Sequence, residues 1–487
     1  MTLQENMQKI EEIIAQGPYQ DDWISLQNHT IPDWFTQSRF GIFIHWGVYS
    51  VPAFANEWYP RNMYRIGTPE FEHHVKEHGP QDIFGYQDFI PLFKAENFVP
   101  ESWVRLIQES GARYIVPVAE HHDGFQMYQS SLSHWNAFEM GPHRDIIKEL
   151  RQESEKENLV FGVSSHRAEH WFYFGPGRDF DSDIKEPLTR NDLYWPAMPG
   201  GESPSISCQP EPHREFLEDW LVRTCELIDL HRPKLLYFDW WIEHQAFKPY
   251  LKKLAAYYYN RATEWKEQVV ICYKHDAFVF GSALFDIERG QCSEAKTFPW
   301  QTDTSVSLNS WCYTNKNQYR KASEIICDLI DIVSKNGNLL LNIGPKADGT
   351  ITEKEVSILH EIGNWLKING EAVYGTRPWR KYGEGPTPVI DGHFSDHIKK
   401  EFTSADIRYT VKGEYLYATV LQCSSEGEYH FTLLSDLGAD SQYKGLIESI
   451  ELLGSPEQCI WKRDKTALHI SLKIQSDYPI VFKIKMG

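Results

Sequence analysis

Short apolar segments that alternate with longer helical patterns constrain the fold of this chain more than any other feature of its sequence. Most of the segments are continuously hydrophobic, which indicates strands buried on both faces, as in a parallel sheet. The predicted strands are residues 39–47, 112–122, 159–167, 234–241, 268–275, 283–288 and 336–345.

Helical patterns fill most of the intervals between these strands. In one of them, Ile325, Leu329 and Ile332 recur at the helical period. Strands interleaved with helices predict an α/β fold, a (β/α)8-like TIM-type barrel, and leave open whether that barrel is irregular or incomplete. A doubly wound open sheet is the alternative, although no Gly-rich phosphate loop follows the first strand. The predicted helices are residues 99–110, 143–158, 213–231, 247–265, 319–336 and 352–370.

The pattern changes after Gly375, where helical signals give way to short strands separated by turn residues. The sequence therefore predicts a catalytic barrel domain over residues 1–375, with a short N-terminal helical extension, and an antiparallel β-sandwich over residues 376–487. A long connection rich in Pro, Gly and Ser, residues 174–212, joins the third and fourth predicted strands. Loops of that length are usually functional or mobile.

Charge and cysteine usage restrict the partners and the compartment. The formal net charge is −19, from 68 acidic and 49 basic residues, so a nucleic acid or an anionic membrane is disfavoured as a partner. The first residues lack the basic start and apolar stretch of a signal peptide, and no segment approaches 18 consecutive apolar residues. The eight cysteines form no CxxC pair. These features predict a cytoplasmic protein with reduced thiols.

The carboxyl ends of parallel strands meet at one mouth of a barrel, so the residues found there form one predicted site. These ends are rich in carboxylates, imidazoles and indoles. They carry His45, Trp46, Glu120, His121, His122, His166, Asp239, Trp240, Trp241, Lys274, His275, Glu288 and Arg289.

Neither a catalytic metal nor an organic cofactor is predicted at this mouth, although histidine is abundant. Metal-dependent barrel hydrolases typically carry His-x-His on the first strand, which places both imidazoles on one face, whereas the first strand here carries only His45. The adjacent His121 and His122 alternate faces for as long as the strand continues, so both reach one ion only if the strand has already ended.

A pair of carboxylates at strand ends predicts glycoside hydrolysis, since the chain has no phosphate loop, serine elbow or Cys–His signature. Asp239 and Glu288 are the pair: one attacks the anomeric carbon and the other protonates the leaving oxygen. The residues alone leave these two roles open. Arg289 would lower the pKa of Glu288 if it pointed at that carboxyl, but successive strand side chains face opposite ways.

Four separate blocks of sequence resemble the α-L-fucosidases of glycoside hydrolase family 29. The first, residues 34–64, contains "FGIFIHWG" followed by "NEWY", and the second, residues 114–125, contains "EHHDGF". The blocks "KNGNLLLNIGPKADGTI" (335–351) and "WLKINGEAVYGTRPW" (365–379) are similar to the end of the family's barrel and the passage to its β-sandwich.

The resemblance implies a role for each matching residue. It makes Asp239 the nucleophile, because Asp239 occupies the Phe-Asp at the end of the fourth strand. His166 stands where many relatives carry a tyrosine contact. Trp241, Trp58 or Trp300 would cover the methyl group of fucose. The implied contacts to the sugar hydroxyls are His45, Glu57, Trp58, His121 and His122.

The position of the acid/base residue varies more among members of this family than the position of the nucleophile does. We predict Glu288, in "FDIERGQ", because it ends a strand and precedes a loop that should fold over the mouth. Glu294, in "CSEAKTFPW", is the fallback. Relatives commonly carry Pro-Trp-Glu at residues 299–301, and Gln301 stands in place of that Glu. The position can therefore bond a hydroxyl but cannot donate a catalytic proton.

The expected function is that of a retaining exo-α-L-fucosidase acting on fucosylated oligosaccharides or glycoconjugates. One alternative is a glycosidase of the same fold acting on a related glycone such as an α-L-galactoside. The other is a non-hydrolytic sugar-binding relative. The preferred linkage and a homo-oligomeric state are left open, and the loop at residues 174–212 and the segment 60–98 are expected to shape the aglycone side.

Overall fold

Eight parallel strands close into a barrel in the computed structural model, which describes residues 2–200, 208, 210–398 and 401–487. Each strand pairs with the next in chain order, and β8 pairs with β1. The predicted barrel is therefore confirmed, and it is complete. Its strands are β1 (Phe40–Ile44), β2 (Tyr114–Glu120), β3 (Val160–Ser165), β4 (Leu235–Phe238), β5 (Val270–Lys274), β6 (Leu284–Glu288), β7 (Trp300–Ser305) and β8 (Gly337–Ile343).

Strand β7 is the barrel strand that hydrophobic patterning misses. Its sequence, "WQTDTS", has no apolar run, yet all of it is buried. The polar side chains find partners inside the barrel: Gln301 donates to Asp286, and Asp303 accepts from Lys274. Buried polar groups that are hydrogen bonded cost far less than unpaired ones, so a polar strand is stable there.

The helices cover the outside of the barrel, and six of them lie at the predicted positions. Helix α12 begins with a capping box, in which Thr352 and Glu355 satisfy each other's backbone N–H groups. The helices are α1 (Leu3–Gln16), α2 (Trp23–Leu26), α3 (Asp33–Ser38), α4 (Tyr59–Asn62), α5 (Pro69–His78), α6 (Pro100–Glu109), α7 (Ile146–Lys156), α8 (His170–Tyr173), α9 (Arg214–His231), α10 (Lys248–Trp265), α11 (Ala322–Ser334) and α12 (Glu353–Asn369). Short 3₁₀ helices run over Val48–Ser50, Tyr86–Leu92, Arg167–Glu169, Gly175–Arg178, Gln245–Phe247, Gly370–Ala372 and Thr432–Leu434.

The C-terminal part of the chain forms two antiparallel sheets with their own hydrophobic core, which is the predicted sandwich. One sheet has the order β13-β16-β11-β10-β9 and the other β12-β15-β14. Its strands are β9 (Arg377–Glu384), β10 (Ile407–Lys412), β11 (Tyr415–Val420), β12 (Glu428–Phe431), β13 (Ile447–Leu452), β14 (Ile460–Arg463), β15 (Leu468–Ser471) and β16 (Ile480–Met486).

The N-terminal helix α1 packs on α9 and α10 at the barrel's outer surface. In the part of the chain that the structure describes, no helix is long and apolar enough to cross a membrane. The predicted loop at residues 174–212 contains one 3₁₀ helix, and residues 201–207 and 209 of it lie outside the described residues.

Gly41, inside β1, supplies a test of barrel packing. A Cβ atom at this position would lie 2.4 Å from the ring of Tyr114 on β2, so Gly41→Ala should destabilise the barrel by about 1–3 kcal/mol through overpacking. Calorimetry should record a lower midpoint of thermal unfolding. Adding Tyr114→Leu, which removes the ring, should make the combined loss smaller than the sum of the single losses. An unchanged midpoint for Gly41→Ala would contradict this packing.

Candidate active site

A cavity of about 340 Å³ opens at the carboxyl end of the barrel, where the predicted site residues were expected. It lies at the small end of the roughly 300–1,000 Å³ typical of ligand pockets, a size that suits one sugar ring. A cavity of about 700 Å³ between α11 and the C-terminal domain contains none of the predicted site residues. The smaller cavity is lined by His45, Asn56, Glu57, Trp58, His121, His122, His166, Glu169, Tyr237, Asp239, Trp240, Glu288, Arg289, Asp303, Trp311 and Phe394.

Asp239 follows β4 directly and is held by the imidazole group of His166, which follows the neighbouring strand β3. His166 Nδ1 donates to Asp239 Oδ2 over 2.9 Å, and His122 Nε2 lies 3.6 Å from the same oxygen. Burial alone would raise the pKa of Asp239, but His166, together with the positive charge of Lys274, outweighs that effect, and the pKa falls below its ordinary value. Asp239 is therefore ionised.

Glu288 is the last residue of β6 and has the opposite protonation state. Burial raises its pKa to about 8 against the opposing charge of Lys274, and the negative charge of Asp239 adds to the rise. The indole Nε1 of Trp240 donates to Glu288 Oε2. At neutral pH the cavity thus holds Asp239 as a carboxylate and Glu288 as a protonated carboxyl group, the pair that acid-assisted displacement requires.

Arg289, whose direction the sequence left open, turns away from Glu288. Its backbone adopts a left-handed conformation with φ of 44°, which reorients the chain directly after the strand. The guanidinium lies 4.6 Å from the ring centre of Trp311 and 3.5 Å from Asp396 Oδ2. Glu288 therefore keeps its raised pKa.

Lys274 lies fully buried beneath the two carboxyl groups and links three adjacent strands. Its Nζ donates to Asp286 Oδ1 over 2.6 Å and to Asp303 Oδ1 over 2.7 Å. The same nitrogen lies 4.0 Å from Glu288 Oε2. Tyr237 donates its hydroxyl to the second oxygen of Asp303 over 3.0 Å, so the network is closed from the β4 side as well.

Two lining histidines are each fixed in the tautomer whose Nε2 is a hydrogen-bond acceptor. His45 Nδ1 lies 2.7 Å from Asn342 Oδ1, and His122 Nδ1 lies 3.0 Å from the carbonyl oxygen of His166, so in both rings Nδ1 is the donor. Burial lowers the pKa of His45 well below its usual range and that of His122 to about 4. In these neutral rings Nε2 keeps a lone pair that can accept from a sugar hydroxyl.

Glu57, Trp58 and His121 complete the predicted polar wall. Glu57 Oε2 accepts from the backbone N–H of Trp311 over 2.9 Å, which aims the carboxylate at the cavity. The Trp58 ring lies against His122, with 5.3 Å between ring centres. Among the described residues, the buried His121 Nδ1 has no hydrogen-bond partner, and the residue lines the cavity.

Two predicted tryptophan contacts are wrong. Trp241 adopts a left-handed backbone with φ of 76° and packs its ring against Phe172, so it does not line the cavity, whereas Trp240 does. Trp300 is the first residue of β7 and donates its indole N–H to the carbonyl oxygen of Lys335. It therefore lies at the opposite end of the barrel from the cavity.

The alternatives considered for the acid also lie away from the cavity. Glu294 is exposed in the loop after β6, and it is not among the lining residues. Gln301 is buried within the barrel, where it accepts from Tyr114 and donates to Asp286. Gln301 bonds a hydroxyl, as the sequence allowed, but that hydroxyl belongs to Tyr114, and both ends of its amide already have partners.

Several residues that line the cavity were not predicted from the sequence. Trp311 comes from the loop after β7, and Phe394 comes from the connection between β9 and β10. Glu169, in the 3₁₀ helix after β3, is buried with its Oε2 unpartnered among the described residues, and burial raises its pKa well above the usual value. Trp240 was among the predicted strand-end residues, but no contact was assigned to it.

Within the part of the chain that the structure describes, two groups of side chains bring possible metal ligands within 4.8 Å of one another: His45, His121 and His166, and His122, His166 and Asp239. Both groups depend on His166. Its Nδ1 is bonded to Asp239, and its Nε2 lies 3.0 Å from Ser164 Oγ, so neither nitrogen is free to ligate an ion. The donor set therefore fits sugar hydroxyls better than a metal.

Comparisons with known proteins point in the same direction as the geometry. The sequence model of the family described as Alpha-L-fucosidase matches residues 6–371. The chain is 30% identical to tissue alpha-L-fucosidase of Homo sapiens over 94% of this chain and 89% of that one. It is 31% identical to plasma alpha-L-fucosidase of Homo sapiens, over 90% and 85% respectively.

Among solved structures, Thermotoga maritima alpha-fucosidase in complex with a mechanism-based inhibitor superimposes with a TM-score of 0.75. The two sequences are 27% identical, and the match covers 96% of this chain and 100% of that one. The same enzyme in complex with fucose gives a TM-score of 0.73 at 27% identity, covering 96% and 99%.

The protonation state of Glu288 can be measured without a substrate. Because its pKa is raised to about 8, Glu288 should carry its proton at about pH 6 and lose it at about pH 10. The infrared difference spectrum between wild type and Glu288→Gln should then show a protonated-carboxyl band at the lower pH and a carboxylate band at the higher. Glu294→Gln, in the exposed loop, should leave the protonated band in place. A carboxylate band from Glu288 at about pH 6 would contradict the assignment.

Proposed function

The chain belongs to the alpha-L-fucosidase family of glycoside hydrolases, and from that premise we propose a retaining exo-α-L-fucosidase in which Asp239 is the nucleophile and Glu288 the acid/base. The observation that carries these roles is the opposite protonation of the two carboxyl groups in one cavity. A nucleophile has to be ionised and a general acid has to hold its proton, and Asp239 and Glu288 meet these two needs.

In the first step, Asp239 attacks the anomeric carbon while Glu288 transfers its proton to the leaving oxygen. The products are an ester between the fucosyl group and Asp239 and a free aglycone. The new negative charge on Glu288 is stabilised by Lys274, at 4.0 Å, and by the indole N–H of Trp240.

The second step uses the same residues in reverse. Once Asp239 is esterified it carries no charge, so it no longer raises the pKa of Glu288, and Lys274 continues to lower it. Glu288 is then suited to act as a base. It takes a proton from water, the water oxygen attacks the anomeric carbon, and fucose leaves as Asp239 is restored.

Recognition of the sugar follows from the wall residues. His45 and His122 offer acceptor nitrogens, and Glu57 offers a carboxylate oxygen, which suits the three ring hydroxyls of fucose. The Trp58 and Trp311 rings can pack on the methyl group, where an α-L-galactoside would place a hydroxyl. This wall favours fucose over the related glycone. The presence of both carboxyl groups argues against a non-hydrolytic sugar-binding protein.

We further propose a cytoplasmic location, which the free state of all eight cysteines supports. The oligomeric state is left open, and analytical ultracentrifugation would determine it. The substrates proposed are fucosylated oligosaccharides or glycoconjugates, and neither a metal nor an organic cofactor takes part in the proposed steps.

The choice of acid is tested by chemical rescue. Glu288→Ala should lower turnover of a fucosyl disaccharide by about 10²–10⁴-fold, because the leaving oxygen then has no proton donor. The loss should be smaller on an aryl α-L-fucoside with a good leaving group, and azide should restore turnover of that substrate. Glu294→Ala is the matched control and should behave as wild type. Azide rescue of Glu294→Ala in place of Glu288→Ala would overturn the assignment.

A further inference from the structure

A short segment of the chain after the barrel crosses the mouth of the active site. We call residues 391–396 the cap segment; they lie between β9 and β10. The backbone N–H of Phe394 donates to the carbonyl oxygen of Glu288 over 2.9 Å, and the N–H of Glu288 donates to His393 Nδ1 over 3.0 Å. The N–H of Asp396 donates to the carbonyl oxygen of Arg289 over 2.9 Å. The cap segment is thus paired with the backbone that carries the proposed acid.

The cap segment and the backbone after β6 approach each other closely enough to require glycine. A Cβ atom at Gly290 would lie 1.8 Å from the carbonyl oxygen of Gly392, which no side chain permits. The far end of the segment is fixed by Asp396, which accepts a hydrogen bond from Thr304 Oγ1 over 2.6 Å. The cap segment is therefore anchored on both sides of Phe394.

Phe394 is presented to solvent at a cost in backbone strain. Its φ is 54°, in the left-handed region that a phenylalanine rarely occupies, and 51% of the residue is exposed. Strain of this kind collects at functional sites. The ring lines the active-site cavity and stacks on Trp240, with 5.9 Å between ring centres and 18° between planes.

The position of Glu288 determines which part of a bound substrate lies over the rings of Trp240 and Phe394. A general acid touches the glycosidic oxygen, and the aglycone is bonded to that same oxygen. The cavity of about 340 Å³ has room for the fucosyl ring, so the aglycone has to leave it beside Glu288. Trp240, which donates to Glu288, and Phe394, which stacks on Trp240, lie on that side.

We propose that Trp240 and Phe394 form the aglycone subsite and that it takes a pyranose ring, whose C–H face packs on the two aromatic rings. The physiological substrates are then fucosides of another sugar rather than of a small alcohol. This inference rests on the proposed function, because it uses Glu288 as the acid. It gives a loop of the C-terminal domain a direct part in substrate choice.

The test compares two substrates that differ in the aglycone. α-L-Fucosyl fluoride has no aglycone ring, whereas a fucosyl disaccharide has one. Phe394→Ala should lower kcat/KM for the disaccharide by about tenfold relative to kcat/KM for the fluoride. Phe394→Leu, which keeps most of the volume without the ring, should give the same relative loss. Phe394→Tyr, which keeps the ring, should not.

Phe280→Ala is the matched control, since Phe280 is also an exposed phenylalanine, at 61%, and lies outside the cavity lining. It should leave kcat/KM unchanged for both substrates. Equal losses on the two substrates in the Phe394 variants, or no loss on the disaccharide, would overturn the aglycone subsite while wild-type activity stands. A wild-type protein inactive on both substrates would instead overturn the proposed function as well.

Discussion

The active site depends on one buried cation, Lys274. Its ammonium group is fully enclosed and bonded to Asp286 and Asp303, with Glu288 4.0 Å away. A buried charge is tolerated only when it is paired and hydrogen bonded, and removing one partner leaves an uncompensated charge at a cost of about 3–5 kcal/mol. The same positive charge helps to keep Asp239 ionised and limits the rise in the pKa of Glu288. Barrel stability and proton transfer therefore rest on the same group.

This network also explains which parts of the fold were predictable. Seven barrel strands are apolar runs buried on both faces, so hydrophobic patterning finds them. Strand β7 is polar because it supplies Asp303 to Lys274 and Gln301 to Asp286, contacts that exist only once the barrel has closed. Local patterning cannot detect a strand whose stability comes from long-range hydrogen bonds.

The site residues also divide into those that the sequence predicts and those that it does not. His45, His121, His122, His166, Asp239 and Glu288 follow from the rule that strand ends meet at one mouth, and all of them line the cavity. Trp241 and Trp300 fail because the rule gives neither the exact strand bounds nor the direction of a side chain in a strained turn. Trp311 and Phe394 come from connections, and no local pattern indicates where a connection will return.

The second domain completes the mouth of the first. Arg408 of β10 pairs with Asp331 of α11 inside the interface, which fixes the sandwich against the barrel. The connection between β9 and β10 can then bring Phe394 to the backbone of Glu288. Chemistry comes from the barrel strands, whereas the surface next to the acid is shared by both domains.

The division of roles between the two carboxyl groups is the central claim, and covalent trapping tests it most directly. 2-Deoxy-2-fluoro-L-fucosyl fluoride should react and leave a stable ester, because the fluorine at C2 slows both steps whereas the good leaving group at C1 speeds only the first. After proteolysis, mass spectrometry should find the fluorofucosyl group on Asp239. A label on Glu288, or inactivation with no covalent label, would contradict the account.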